Sequence, residues 1–175
     1  TNALEGGGQH VSMNGLVLIS QAIDYQGNTS MHDNLISYLT YLPTMAATAW
    51  YHKKAGQGKS LEDFVQECRV FTTDEYAPAL LKGSMLTTEA QNSMADKLVY
   101  FTGLPKEYVL RSDLRVLVPR FQKKLMEEEG LTVGRLDSRF KSREADLVAE
   151  WPTLGDASDY QIDAAYTAAL NNYFA

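Results

Sequence analysis

Residues 35–56, LISYLTYLPTMAATAWYHKKAG, constrain the fold more than any other stretch, because they combine an apolar run, helix punctuation and a face made for close packing. Pro43 suits the first turn of a helix, where its missing N–H leaves nothing unsatisfied, and Gly56 suits the position just past the end. Leu42, Ala46, Ala49 and Trp50 fall on one face at helical spacing, and the alanines let a second element come close. Lys53 and Lys54 complement the helix dipole in the last turn. The pattern predicts a buried helix opening at Pro43.

A chain of 175 residues, 45% apolar and 22% charged, has the composition of one ordinary globular domain. Its formal charge of -6 argues against nucleic acid or an anionic membrane as partner, since both reward clustered cations. No stretch approaches the roughly 20 apolar residues that span a bilayer. Cys68 is the only cysteine, which excludes an internal disulfide, leaves the redox compartment open and reads as a small core residue. Thr1 is not a natural start, so the chain is expected to be processed or excised from a longer protein. The glycines Gly6, Gly7 and Gly8 read as a connector, because no Lys-Ser/Thr pair follows to make a phosphate loop.

Residues 13–20, MNGLVLIS, form the short continuous apolar run typical of a strand covered on both faces of a parallel sheet. Such a strand needs neighbours, and no second run of this kind follows. It is expected to pair between copies near Leu16 to Ile19, giving a dimer, or to be disordered. Downstream the pattern is helical. Ser60 and Asp63 make a capping-box-like pair ahead of Leu61, Phe64, Val65, Cys68 and Phe71, and Pro78 should kink or restart that helix near Thr73. Thr87 or Thr88 opens a helix that Gly103 stops. A short helix opens at Pro105, and Ser112 is read as the cap of a helix carrying Val116, Leu117, Phe121 and Leu125 with Pro119 inside. The acids Glu127, Glu128 and Glu129 oppose the dipole at its end and predict fraying. Residues 131–140 read as an extended segment and 141–158 as a polar loop. A last helix from near Asp159 carries Ile162, Ala165, Tyr166, Ala169, Leu170 and Tyr173 at helical spacing.

No catalytic constellation emerges. The G-x-S-x-G elbow is absent from the sequence, and His10, His32 and His52 stand apart, without metal-ligand spacing. No cofactor or metal is assigned. The densest polar group is Arg135, Asp137 and Arg139, alternating on what an extended segment would make one side. It has two readings: a guanidinium fork for a carboxylate, or an internal Arg-Asp-Arg ion pair pinning the segment. Tyr38, Tyr41 and Tyr51 likewise either line an apolar pocket or serve the core with hydrogen-bonded hydroxyls.

Four stretches, NGLVLISQAID (14–24), YLPTMAATAWYHKK (41–54), EYAPALLKG (75–83) and GLTVGRLDSRF (130–140), together resemble the middle of the bacterial serine carboxypeptidases, a branch of the α/β-hydrolase superfamily. The resemblance covers nearly the whole chain. It implies a mainly α fold: residues 1–34 a remnant of the hydrolase core with one strand (14–20) and a linker, residues 35–175 the helical cap, with a short extended segment near 131–140. In that family the cap covers the cleft and shapes its pockets, while the nucleophile precedes the NGLVLIS-like strand and the triad Asp and His follow the cap. The resemblance therefore implies that this chain holds no triad member and is inactive alone. It implies peptide substrates for the parent, reached through substrate-pocket candidates Tyr38, Tyr41, Arg135, Asp137 and Arg139, and an exported bacterial enzyme. The alternative from another class is an autonomous helical module that binds a protein or peptide in a groove.

Overall fold

The structure is a computed structural model that describes residues 14–15, 17–22 and 24–175. The glycine connector, His10, Met13 and Leu16 lie outside the described residues. The fold is mainly α, with one two-stranded antiparallel sheet.

The single turn α1 (Tyr25–Asn28), capped by the Asp24 side chain, leads into α2 (Leu35–Tyr51). Helix α2 is the centre of the core. Tyr38, Leu42, Met45, Ala46 and Ala49 are buried along it, and it packs on α3 (Leu61–Phe71) and α5 (Thr88–Thr102). The buried helix is as expected, but it opens at Leu35 and Pro43 lies inside it. An internal proline removes one backbone bond and costs about 3 kcal/mol, whereas each buried side chain of Leu or Met size returns about 1.5–3 kcal/mol. Tyr38 and Leu42, both ahead of Pro43, make that exchange favourable. Gly103 ends α5 at φ 69, and a Cβ there would press on the Lys54 carbonyl, so glycine serves both the turn and the close approach to the end of α2.

Ser60 caps α3 by accepting from the Asp63 amide at 3.1 Å, as its spacing to Asp63 predicts. Phe64, Cys68 and Phe71 are buried and Leu61 stays exposed. The helix does not break before Pro78. It passes through a π turn (Thr72–Tyr76) into α4 (Ala77–Lys82), with Pro78 just past the π turn. The π turn delivers Tyr76 to the core, stacked on Phe71, which in turn stacks on Phe101. The Tyr76 hydroxyl donates to the Leu114 carbonyl at 2.6 Å.

Helices α6 (Lys106–Arg111) and α7 (Val118–Lys124) come next. Ser112 closes α6 instead of opening α7, and Pro119 occupies the first turn of α7, the position that suits its ring. Between them Asp113 and Leu114 take φ 53 and 63, a region non-glycine residues rarely adopt. Arg115 holds this turn by donating to the Asp113 and Leu80 carbonyls. The acids 127–129 do not fray a helix end: α7 stops before them, they form a 3₁₀ turn, and Lys124 and Lys54 pair with Glu127 and Glu129.

Strand β1 (Leu131–Val133) falls within the expected extended segment, but the chain then turns and returns as β2 (Lys141–Arg143), with Leu131 opposite Arg143 and Val133 opposite Lys141. Asp156 caps α8 (Ala157–Phe174), and beyond Ala157 and Ser158 no residue of that helix is buried. The strand expected over 14–20 is absent among the described residues: Val17, Leu18 and Ile19 are 88%, 65% and 85% exposed and make no ladder. A parallel strand without neighbours has nothing to bond to.

Candidate functional site

The turn between β1 and β2, residues 134–140, is bonded to α2 and to the start of α8. Its entrance is set by Gly134, where a Cβ would overlap the Asp137 carbonyl oxygen. Glycine is required there for space. The Gly134 amide donates to the Phe140 carbonyl at 2.9 Å and the Phe140 amide to the Asp137 carbonyl at 3.2 Å, closing the turn on itself.

Asp156 then fixes the turn from outside. Its carboxylate accepts the amides of Arg135 at 2.8 Å, Leu136 at 2.9 Å and Ser158 at 3.0 Å, with the Ser158 hydroxyl at 2.8 Å. Burial pushes this carboxyl up, and the donors from Ser158, Arg135 and Leu136 more than offset it, leaving Asp156 below the usual range. From the α2 side, Thr48 and Ser138 hydroxyls meet at 2.7 Å and His52 Nε2 lies 2.7 Å from the Ser138 carbonyl. Gln122 and Thr132, both buried, tie α7 to β1 behind it. An exposed turn is thus held at several points.

A pocket of about 100 Å³ opens between this turn and α2. Met45, Val118, Phe121 and Val133 give it an apolar floor, and Thr44, Thr48, Ser138 and Arg135 a polar rim. Tyr41 lines it through its ring, its hydroxyl donating to the Asn28 carbonyl at 2.7 Å. Tyr38 is elsewhere, buried beside Tyr76 and Leu114 with its hydroxyl on the His32 carbonyl at 3.3 Å; burial raises its pKa. Tyr38 serves the core and Tyr41 the pocket.

Arg135, Asp137 and Arg139 do not share one side of a strand, because residues 134–140 form a turn. Asp137 is bonded by Arg139 alone: Nε donates to Oδ1 at 2.9 Å and Nη2 to Oδ2 at 2.6 Å, and the Arg139 amide adds a third bond. That partner holds the Asp137 carboxyl at about 2. Arg135 takes no part, and among the described residues it makes no ion pair. The internal pair is therefore Asp137 with Arg139, and the guanidinium left for a ligand is Arg135.

Sequence reasoning missed Thr48, Gln122, Ser138 and Asp156. Only Asp156 carried a local signal, an acidic residue two positions before Ser158 at a helix start. A second buried charge also escaped it: Lys123 lies 3.6 Å from Glu144, their side chains 5% and 2% exposed, and Lys123 also donates to the Asp146 carbonyl. Glu144 accepts from the Asp146 amide at 3.1 Å and from Thr153, which organises the loop after β2.

Among the described residues no group of three or more His, Cys, Asp or Glu could hold a metal ion, and no helix is long and apolar enough to cross a membrane. His52 meets a carbonyl, not a hydroxyl, so the Ser138 hydroxyl has no base. The arrangement offers a fixed cation, Arg135, beside a small pocket, which suits binding and positioning. Comparison with family models, with curated proteins and with solved structures finds no match to this chain.

Proposed function

We propose that this chain is the cap of a serine carboxypeptidase, the part that covers the cleft and shapes the peptide pocket, with the hydrolytic triad on the hydrolase core. The observation that carries this reading is α8. It is an 18-residue helix with Ile162, Ala165, Tyr166, Ala169, Leu170 and Tyr173 on one face, and only Ala157 and Ser158 buried. Tyr166, Leu170, Tyr173 and Phe174 are 64%, 53%, 81% and 78% exposed, and its only charges are Asp159 and Asp163. An apolar helix face of this length belongs against a second surface. The exposed Val17, Leu18 and Ile19 suit the same body, as a strand waiting for its sheet.

The test uses the natural protein that carries this sequence. It is treated with a biotinylated fluorophosphonate, the labelled peptide is identified, and amino-acid release from N-acylated dipeptides is followed. One labelled serine outside residues 1–175, together with C-terminal release, is expected. A natural protein that neither labels nor releases an amino acid overturns the reading.

A second reading, an autonomous helical peptide-binding module, is favoured by one observation: the pocket beside Arg135 is completed by this chain's own residues. Failure of the labelling test with retained peptide binding selects it.

A further inference from the structure

We infer that the β1–β2 turn is a recognition site for an acidic peptide segment, with Arg135 pairing a side-chain carboxylate and the adjoining pocket taking the neighbouring apolar side chain. The inference deepens the cap reading by naming a substrate class, and rests on that reading only for its role in hydrolysis.

The first support is charge. A chain of formal charge -6 repels acidic ligands at long range, yet residues 135–143 hold four cations, Arg135, Arg139, Lys141 and Arg143, against Asp137 within the segment and Asp156 beside it. All four are exposed, and among the described residues only Arg139 is ion-paired. Strand alternation puts Lys141 and Arg143 on one face of β2. A local basic spot on an acidic protein gives an acidic ligand one place to settle.

The second support is preorganisation. Asp156 holds the backbone amide of Arg135 itself and that of Leu136, while Ser138 is fixed to α2 by its hydroxyl and its carbonyl. Ordering this turn therefore adds little to the cost of binding, and a planar fork on a fixed base suits bidentate carboxylate capture. The third support is shape: Arg135 lines the same small pocket as Met45, Phe121 and Val133, so a carboxylate and an aliphatic group can be read side by side. A polynucleotide satisfies the charge but not the floor.

The test is fluorescence anisotropy of the full 175-residue chain with a fluorescein-labelled Gly-Leu-Glu-Gly peptide. Controls are the Gly-Leu-Gln-Gly and Gly-Ala-Glu-Gly peptides and a labelled oligothymidine. Arg135→Gln is expected to weaken the Glu peptide about tenfold and Arg139→Gln less than about twofold, since Arg139 already serves Asp137. Both control peptides should bind more weakly than the Glu peptide, the Gln one with no response to Arg135→Gln. Equal binding of the Glu and Gln peptides, an unaffected Arg135→Gln protein of native circular dichroism, or oligothymidine binding as tight as the peptide overturns the inference. The peptide-side controls decide the matter even if the variant fails to fold. A protein that labels with fluorophosphonate but ignores peptide acidity loses this inference and keeps the cap reading; the reverse result keeps the site and loses the cap.

Discussion

The hydroxyl oxygens of Thr48 and Ser138 lie 2.7 Å apart, although 90 positions separate them in the chain. Thr48 also reaches the Thr44 carbonyl at 2.9 Å, and a hydroxyl has one proton, so Thr48 donates to Thr44 and Ser138 donates to Thr48. Thr48→Val keeps the shape and strands the Ser138 proton. It should cost about 1–3 kcal/mol in urea unfolding, and Ser138→Ala, which removes the stranded group as well, about 0.5–1.5 kcal/mol. Equal losses for the two variants would contradict this polarity.

Gly134→Ala should destabilise by about 1–3 kcal/mol, because the added methyl meets backbone at Asp137, not a yielding side chain. Thermal melts of the two proteins check it. The same variant should weaken Glu-peptide binding, since Arg135 is carried by the displaced turn.

Acid should unfold the chain through Asp137, Asp156 and Glu144. Burial pushes Glu144 up, and Thr153, the Asp146 amide and Lys123 more than offset it, so all three carboxyls keep their charge in the fold below their ordinary range. The unfolded chain then binds more protons in acid. Their contribution is complete above the ordinary carboxylate values near about 4 and is lost as pH falls through the folded values, down to about 2 for Asp137. Denaturant midpoints measured from neutral pH downward should be flat and then fall. Asp156→Asn should lower the plateau and shallow the fall; an unchanged acid limb would exclude Asp156 from it.

Cys68 should be inert in the native chain. Burial among Phe64 and Phe71 pushes its thiol up to about 12, where the thiolate that attacks disulfides is scarce. Ellman's reagent at neutral pH should report no thiol until urea is added, then one. Rapid native reaction would mean that α3 opens on its own.

The helical part of this fold was legible because its signals are local. Ser60 with Asp63, Thr87, and Gly103 punctuate α3 and α5 in the sequence as in the structure. Pro43 misled for the same reason: its local rule marks a helix start, and the burial of Tyr38 and Leu42 that carries α2 through it is tertiary. The apolar run at 14–20 reads as a strand, but strands form by pairing, and no partner is present among the described residues. At the site, Arg135, Asp137 and Arg139 were visible as a cluster, whereas which arginine claims the acid depends on a turn that Gly134 and Asp156 impose. Thr48 and Ser138 carry no signal at all at such separation.

The π turn at Thr72–Tyr76 sets the rotational phase of α4. It inserts one residue into helical winding, and one residue is about 100° of rotation. Because of that offset α4 buries Ala79 and Leu80 and turns Leu81 to solvent at 76% exposure. Winding the same residues as regular α-helix, with nothing deleted, would turn Leu80 to the outward position that Leu81 now holds and carry the Tyr76 ring off Phe71, whereas deleting one residue between Thr72 and Tyr76 would remove the π turn and keep the phase of α4. The π turn thus takes up a surplus of chain length that regular winding would turn into a change of face.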